Sequence, residues 1–266
     1  MISCIVPSHN ASATLVRALR SALTQPGEIE VVLVDDASTD GSAEIAAQAF
    51  PGQVASGQLL IVRLASNHGP GLARNMAVAA ASGEYLAFLD ADDEHLSPYY
   101  EACSQWLGEH PEAAGVEVGA EIVDSRDLRT LVDESDPRYL PIINSAPWTA
   151  FVRREAFWAA GGFPVSSEFR KALGGEDIVF KTILKQLFSM ASTPQKLVRH
   201  YVYPGSHTDK YLKRTEIVDG QVVFREYYAE ETNRSWDNAA TLHIERAKTL
   251  YRGLPAMTRA AADAVK

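Results

Sequence analysis

Acidic residues gather at three places in this chain where a carboxylate could do chemistry. Asp90, Asp92, Asp93 and Glu94 follow one apolar run, Asp35 and Asp36 follow another, and Glu176 and Asp177 open a helical stretch after Gly174-Gly175. Three Asp in four residues repel one another unless a cation neutralises them. The first cluster therefore points to Mg2+ or Mn2+ shared with substrate phosphates, with a merely solvated acidic loop as the alternative. An EF-hand is excluded, because its sixth position holds His95 instead of Gly and Pro98 interrupts the loop, although Asp90, Asp92, Glu94 and Glu101 fall in register. Asp35-Asp36-Ala37-Ser38 reads as a capped turn or as a ligand contact, since capping explains one acid but not two. Glu176 and Asp177 suit the positive end of a helix dipole and equally suit a positioned general base.

Other polar clusters carry weaker signals. Asn67-His68-Gly69-Pro70-Gly71-Leu72-Ala73-Arg74-Asn75 approaches a dinucleotide fingerprint, but Arg74 stands where the third glycine belongs. It also follows the third apolar run, whereas the first ends in Pro7-Ser8-His9-Asn10, which has no glycine, and no Walker A sequence occurs. A glycine-bearing turn into a helix can still aim backbone amides and an Arg at a phosphate or base; a solvated Arg74 is the alternative. His207, after Pro204-Gly205-Ser206, reads as a metal ligand or a solvated loop residue. Trp148 reads as a platform for an acceptor or as a packed aromatic.

These clusters need elements to position them. Apolar runs over 2–6, 29–34, 59–64 and 84–89 predict strands, and the 3.6-residue period over 11–23, 42–50, 71–81 and 98–109 predicts helices between and after them. Strand–helix units of this length imply an α/β fold, a mostly parallel sheet with helices on both faces that binds ligands beyond the carboxyl ends of its strands. The polar clusters lie at that edge. Further on, 115–124 predicts a strand, 133–147 with its three prolines a loop, 154–160 and 176–188 helices, and 196–203 a strand. From 222 onward the pattern is helical and Ala-rich, so 210–266 is expected to be a C-terminal helical extension.

Composition bounds the class. The chain has 266 residues, 46% hydrophobic and 22% charged, values that exclude disordered, collagen-like and coiled-coil proteins. A net charge of −9 argues against non-specific nucleic-acid binding. Two cysteines, Cys4 and Cys103, make no disulfide framework, and Cys4 reads as a core thiol in a buried strand. No signal peptide or membrane span is evident, so the expected location is cytoplasmic; peripheral membrane association and oligomerisation through the C-terminal helices stay open.

Taken together, the motifs resemble family 2 inverting glycosyltransferases of the GT-A fold. The matching pieces are Val6-Pro7-Ser8-His9-Asn10, Val34-Asp35-Asp36-Ala37-Ser38-Thr39-Asp40-Gly41, the Asn67 to Asn75 segment, Phe88-Leu89-Asp90-Ala91-Asp92-Asp93, and Gly175-Glu176-Asp177. The resemblance is strong over about 1–110 and ordered through about 207. It implies a donor-binding half at 1–110, an acceptor and catalytic half at 111–209, and a nucleoside-diphosphate sugar donor, with a UDP-sugar favoured. The donor would be held by Pro7, Ser8, Asn10, Asp35, Asp36, Asn67, Gly69, Arg74, Asp90, Ala91 and Asp92. A divalent cation, Mn2+ or Mg2+, would sit on Asp92 with His207 as a further contact. The resemblance implies Asp177 as catalytic base; Glu176 beside it and Trp148 are the residues expected toward a carbohydrate or glycolipid acceptor. His9 departs from the family's usual Tyr or Phe. A sugar-nucleotide pyrophosphorylase would need a basic glycine-rich loop after the first strand, and an NAD oxidoreductase its fingerprint there. A catalytically inactive nucleotide-binding or scaffold protein is the remaining alternative, opposed by the presence of both Asp92 and Asp177.

Overall fold

A computed structural model describes residues 1–171, 175–225 and 230–253. The first half alternates as the apolar runs predict: β1 (Ile2–Ser8), α1 (Leu15–Leu23), β2 (Ile29–Asp35), α2 (Ser42–Ala49), α3 (Pro51–Ser56), β3 (Leu59–Arg63), α4 (Pro70–Ala80) and β4 (Tyr85–Phe88). There follow β5 (Glu94–His95), α5 (Tyr99–Glu109), β6 (Gly115–Asp124), β7 (Thr130–Val132), α6 (Tyr139–Ser145), a 3-10 turn over Pro147–Thr149, and β8 (Ala150–Arg153). The chain continues through α7 (Arg154–Ala159), α8 (Ser167–Lys171), α9 (Glu176–Leu187), β9 (Met190–Val202), α10 (His207–Arg214), β10 (Thr215–Val218), β11 (Gln221–Phe224) and α11 (Glu230–Gly253).

Among the described residues one sheet runs β3-β2-β1-β4-β8-β6-β9-β5, with β7 on β6. β3, β2, β1 and β4 are parallel, whereas β8 enters antiparallel to both β4 and β6. β6 and β9 then run parallel, and β5 closes the edge antiparallel to β9. Cys4, Val31, Leu33 and Ala87 pack on one face under α1 and α5, while Ile5, Val32, Val34 and Phe88 pack on the other under α4, α7, α9 and α11. Strands buried on both faces explain their unbroken Val, Ile and Leu runs. Cys4 is fully buried, and desolvation pushes its thiol up to about 12, so it is an inert core residue.

Three expectations need correction. Residues 139–145, predicted as loop, form α6 with Pro141 in the first turn, where its missing N–H has no helical partner to lose. β9 begins at Met190, six residues before the predicted strand, and carries Pro194 where its register against β6 shifts. Within the expected helical extension, β10 and β11 form a hairpin around Asp219-Gly220, both at positive φ. Residues 254–266 lie outside the described ones.

Candidate active site

The carboxyl ends of β1, β2 and β4 bring the polar clusters together. Asp36, directly after β2, is buried, and its two oxygens accept the backbone amides of His68 at 2.8 Å and Gly69 at 2.7 Å. The second motif thus fastens the third, and Gly69, at φ 90°, supplies a conformation that side chains resist. Asp35 accepts from the Ser38 amide, a turn contact of the kind its sequence suggested. Asn10 braces the same edge, its side-chain oxygen accepting the Thr39 amide at 2.9 Å. Pro7, Ser8 and Ala91 are buried beside it, and the Ser8 hydroxyl has no hydrogen-bond partner among the described residues.

Arg74 is the hub. It sits one turn into α4, only 3% exposed, and donates to Asp90 at 2.7 Å and to Glu176 at 3.1 Å. The end of β4 and the start of α9 are therefore joined through one guanidinium, which also lies over the Phe163 ring. Burial works against its charge, yet Asp90, Glu176 and Asp177 together hold its pKa above the ordinary value. The close approach of α4 and α9 requires Gly71, where a Cβ would meet the Pro164 carbonyl at 2.8 Å and the Glu176 side chain at 3.1 Å. Asn75 adds a bracket, donating to the Phe163 carbonyl and accepting its amide.

Asp177 follows Glu176 in the first turn of α9, half-buried and making no ion pair among the described residues. Desolvation, then the neighbouring Glu176, pushes its carboxyl up to about 7, although Arg74 pulls the other way. Asp92 behaves alike: burial and the charges of Asp93 and Asp90 raise it to about 7. No group of three or more His, Cys, Asp or Glu able to cage a metal occurs among the described residues. An uncompensated carboxylate between two others still fits a hard cation whose remaining ligands are phosphate oxygens and water, the habit of Mg2+ and Mn2+ in nucleotide sites.

The third acid of the cluster has a different role. Asp93 is fully buried, and His200 Nδ1 donates to its two oxygens at 2.9 and 3.0 Å while the Tyr201 amide donates at 3.0 Å. Burial disfavours charge on His200, but contact with Asp93 outweighs it and raises the imidazole. The ring also hydrogen-bonds Thr208 and stacks on Trp148, with centroids 4.9 Å apart. One expectation changes here. Trp148 is 2% exposed, so it is a packed aromatic and offers no face to an acceptor. The histidine brought to the acidic turn is His200, while His207 is exposed at the first position of α10. His200 gave no local signal, because its partner lies 107 residues away. Arg17, also unforeseen, donates to the Asp92 carbonyl and to the Tyr203 hydroxyl. Asp93→Asn is expected to destabilise the fold by about 1–3 kcal/mol, since it weakens charge-assisted bonds inside a dry site; urea unfolding measures it, and an unchanged midpoint would refute the pairing.

The model of the family described as glycosyl transferase family 2 matches residues 3–160. The succinoglycan biosynthesis protein ExoU of Rhizobium meliloti is 44% identical over 92 residues, covering 35% of this chain and 26% of ExoU. The chain spans about a quarter of the length of such curated relatives. Among solved structures, S. aureus TarS 1-349 in complex with UDP-GlcNAc superposes with a TM-score of 0.66 at 20% identity, over 94% of this chain and 70% of that one. Mannosyltransferase PcManGT from Pyrobaculum calidifontis, in complex with GDP-Man and Mn2+, gives 0.59 at 19% identity, over 98% and 74%. At these identities the structural likeness concerns the fold, a GT-A α/β sheet. No helix among the described residues is long and apolar enough to cross a membrane.

Proposed function

The chain belongs to glycosyl transferase family 2, and from that premise we propose that it moves a sugar from a nucleoside-diphosphate donor to an acceptor hydroxyl with inversion. The observation that carries this reading is the Asp90–Arg74–Glu176 bridge, which sets the carboxylate of Asp177, without an ion pair among the described residues, near the acidic turn. The donor lies across the ends of β1, β2 and β4. Pro7, Ser8, Asn10, Asp35, Asp36, Asn67 and Gly69 face the base; Arg74, Asp90, Ala91 and Asp92 face ribose and diphosphate. Glu176, held by Arg74, flanks the acceptor side.

Asp177 takes the proton of the acceptor hydroxyl as that oxygen attacks the anomeric carbon from the face opposite the diphosphate. The new glycosidic bond forms while the bond to phosphate breaks. A carboxylate that titrates near 7 is half-ionised at neutral pH and binds the proton well, which is what general-base assistance requires. Asp92 would hold a divalent cation, which when bound supplies charge stabilisation to the departing diphosphate. TarS and PcManGT, crystallised with UDP-GlcNAc and with GDP-Man and Mn2+, support the donor class and the cation. A UDP-sugar donor, a carbohydrate or glycolipid acceptor and a choice between Mn2+ and Mg2+ belong to this reading.

Thermal unfolding with UDP, GDP, dTDP and CDP, each with Mn2+, Mg2+ or EDTA, tests it. One nucleotide at about 100 times its Kd is expected to stabilise the fold by roughly 2.7 kcal/mol, and only with metal. Asp92→Ala is expected to abolish the metal-dependent part of that shift. A shift unchanged by the substitution would move the cation elsewhere, and no shift with any nucleotide would leave a scaffold instead of a transferase.

A further inference from the structure

Lys181 is a buried cation that the chemistry above does not use. It lies one helical turn beyond Asp177 on α9, is 2% exposed, and makes its contacts away from the helix that carries it. Its ammonium donates to the carbonyls of Ile143 at 2.7 Å and Ala146 at 2.9 Å, and to the Thr149 hydroxyl at 2.7 Å. Glu117 of β6 stands 2.8 Å away as its counter-ion and is shared with the more exposed Lys185. Two of these acceptors are carbonyls at the end of α6, where a cation completes bonds the helix leaves open.

The anchored segment leads back to the acidic turn. Ala146 and Thr149 bracket Trp148, whose ring stacks on His200, and His200 grips Asp93 next to Asp92. The first turn of α9, which carries Asp177, and the acidic turn after β4, which carries Asp92, are thus tied by two separate routes. One is the direct Arg74 bridge; the other passes through Lys181, Trp148 and His200.

The geometry points to Lys181 as a positioning residue, which fixes the base-bearing first turn of α9 against the wall of the donor site by clamping the 143–149 segment. This inference rests on the reading of Asp177 as the base. Removing the clamp leaves nucleotide binding intact, since none of its partners faces the donor, and lets Asp177 drift; a misplacement of about 1 Å costs on the order of 100-fold in rate.

Burial has a cost that must be separated from positioning. Desolvation pulls the Lys181 pKa down to about 8 against the pull of Glu117, so the fold holds a charge pair that an apolar pair could replace. Lys181→Met alone leaves Glu117 with only the more exposed Lys185 as counter-ion; the double variant Glu117→Gln/Lys181→Met removes both members of the buried pair. The readout is nucleoside-diphosphate release from a panel of UDP-, GDP-, dTDP- and CDP-sugars with Mn2+, at a temperature where each protein is folded. The double variant is expected to recover the melting temperature lost in the single one and to keep donor KM within twofold, while kcat stays at least tenfold down. A kcat within twofold of the parent at recovered stability would show that Lys181 only balances charge, and would overturn the proposal. Should both variants fail to fold, Thr149→Val removes one acceptor with little change in shape; it is expected to lower kcat at least threefold at unchanged donor KM, and an unchanged kcat overturns the clamp. If the parent protein releases no diphosphate from any sugar nucleotide, the transferase reading falls first and takes this role with it.

Discussion

Asp177→Asn is expected to lower nucleoside-diphosphate release by about 10²–10⁴-fold, the range general-base assistance covers, while the metal-dependent stabilisation by nucleotide persists. The same substitution is expected to make the protein more stable at pH 8. The folded carboxyl titrates near 7, above the ordinary range near 4, so the folded state binds its proton more tightly than the unfolded chain. Stability from this group is full below about pH 4 and is lost as pH rises through 7. A three-unit shift would correspond to about 4 kcal/mol, and solvent access to the half-buried side chain reduces it to on the order of 1–2 kcal/mol. Asn removes that penalty, a rise of several degrees in Tm at pH 8 and little change at pH 4. For the parent protein, kcat should climb with pH through about 7. Loss of nucleotide binding along with turnover, in a folded variant, would take the base assignment away from Asp177.

Arg74→Met should produce the largest loss of stability. It strips the partner from Asp90 and Glu176, and Glu176 is buried with Arg74 itself. Removing one member of a buried ionic network costs about 3–5 kcal/mol, because the remaining charges stay in a low dielectric unpaired. For a chain of this size that is roughly 10 °C in Tm. Glu176→Gln added to Arg74→Met should restore part of it by neutralising one stranded charge. A lysine cannot serve, since one ammonium lacks the planar fork that meets two carboxylates at once. Urea midpoints of the four proteins form a double-mutant cycle; strict additivity of the two changes would show that the pair is not coupled.

How much of this was legible in sequence depends on the reach of each signal. The strand–helix alternation through Glu109 follows from local hydrophobic period, and β6 falls on residues 115–124 as the pattern predicts. α6 has a weak local signal because prolines usually break helices, although Pro141 occupies the first turn, which tolerates it. The β10–β11 hairpin had a signal in Asp219-Gly220 between apolar pairs that a helical reading overrode. Local motifs named the ends of β1, β2 and β4 and the start of α9, which the sheet then placed side by side. His200 and Lys181 were invisible for another reason. A histidine inside a strand and a lysine inside an amphipathic helix look ordinary, and only partners far along the chain, Asp93 and Glu117, give them meaning.

Cutting the chain after residue 160, where the family match ends, would amputate the supports of the part retained. Asp93 would keep its place at the end of the parallel strands but lose His200 and the Tyr201 amide, and Arg74 would lose Glu176. β6 would lose β9, its parallel neighbour, and bare an edge of unpaired amides to water or to another molecule. The stretch most recognisable by sequence is therefore not a transplantable module. A chimera that borrows it must bring the strand from Met190 to Val202 and the first turns of α9 with it, or leave Asp93 and Arg74 without their far partners.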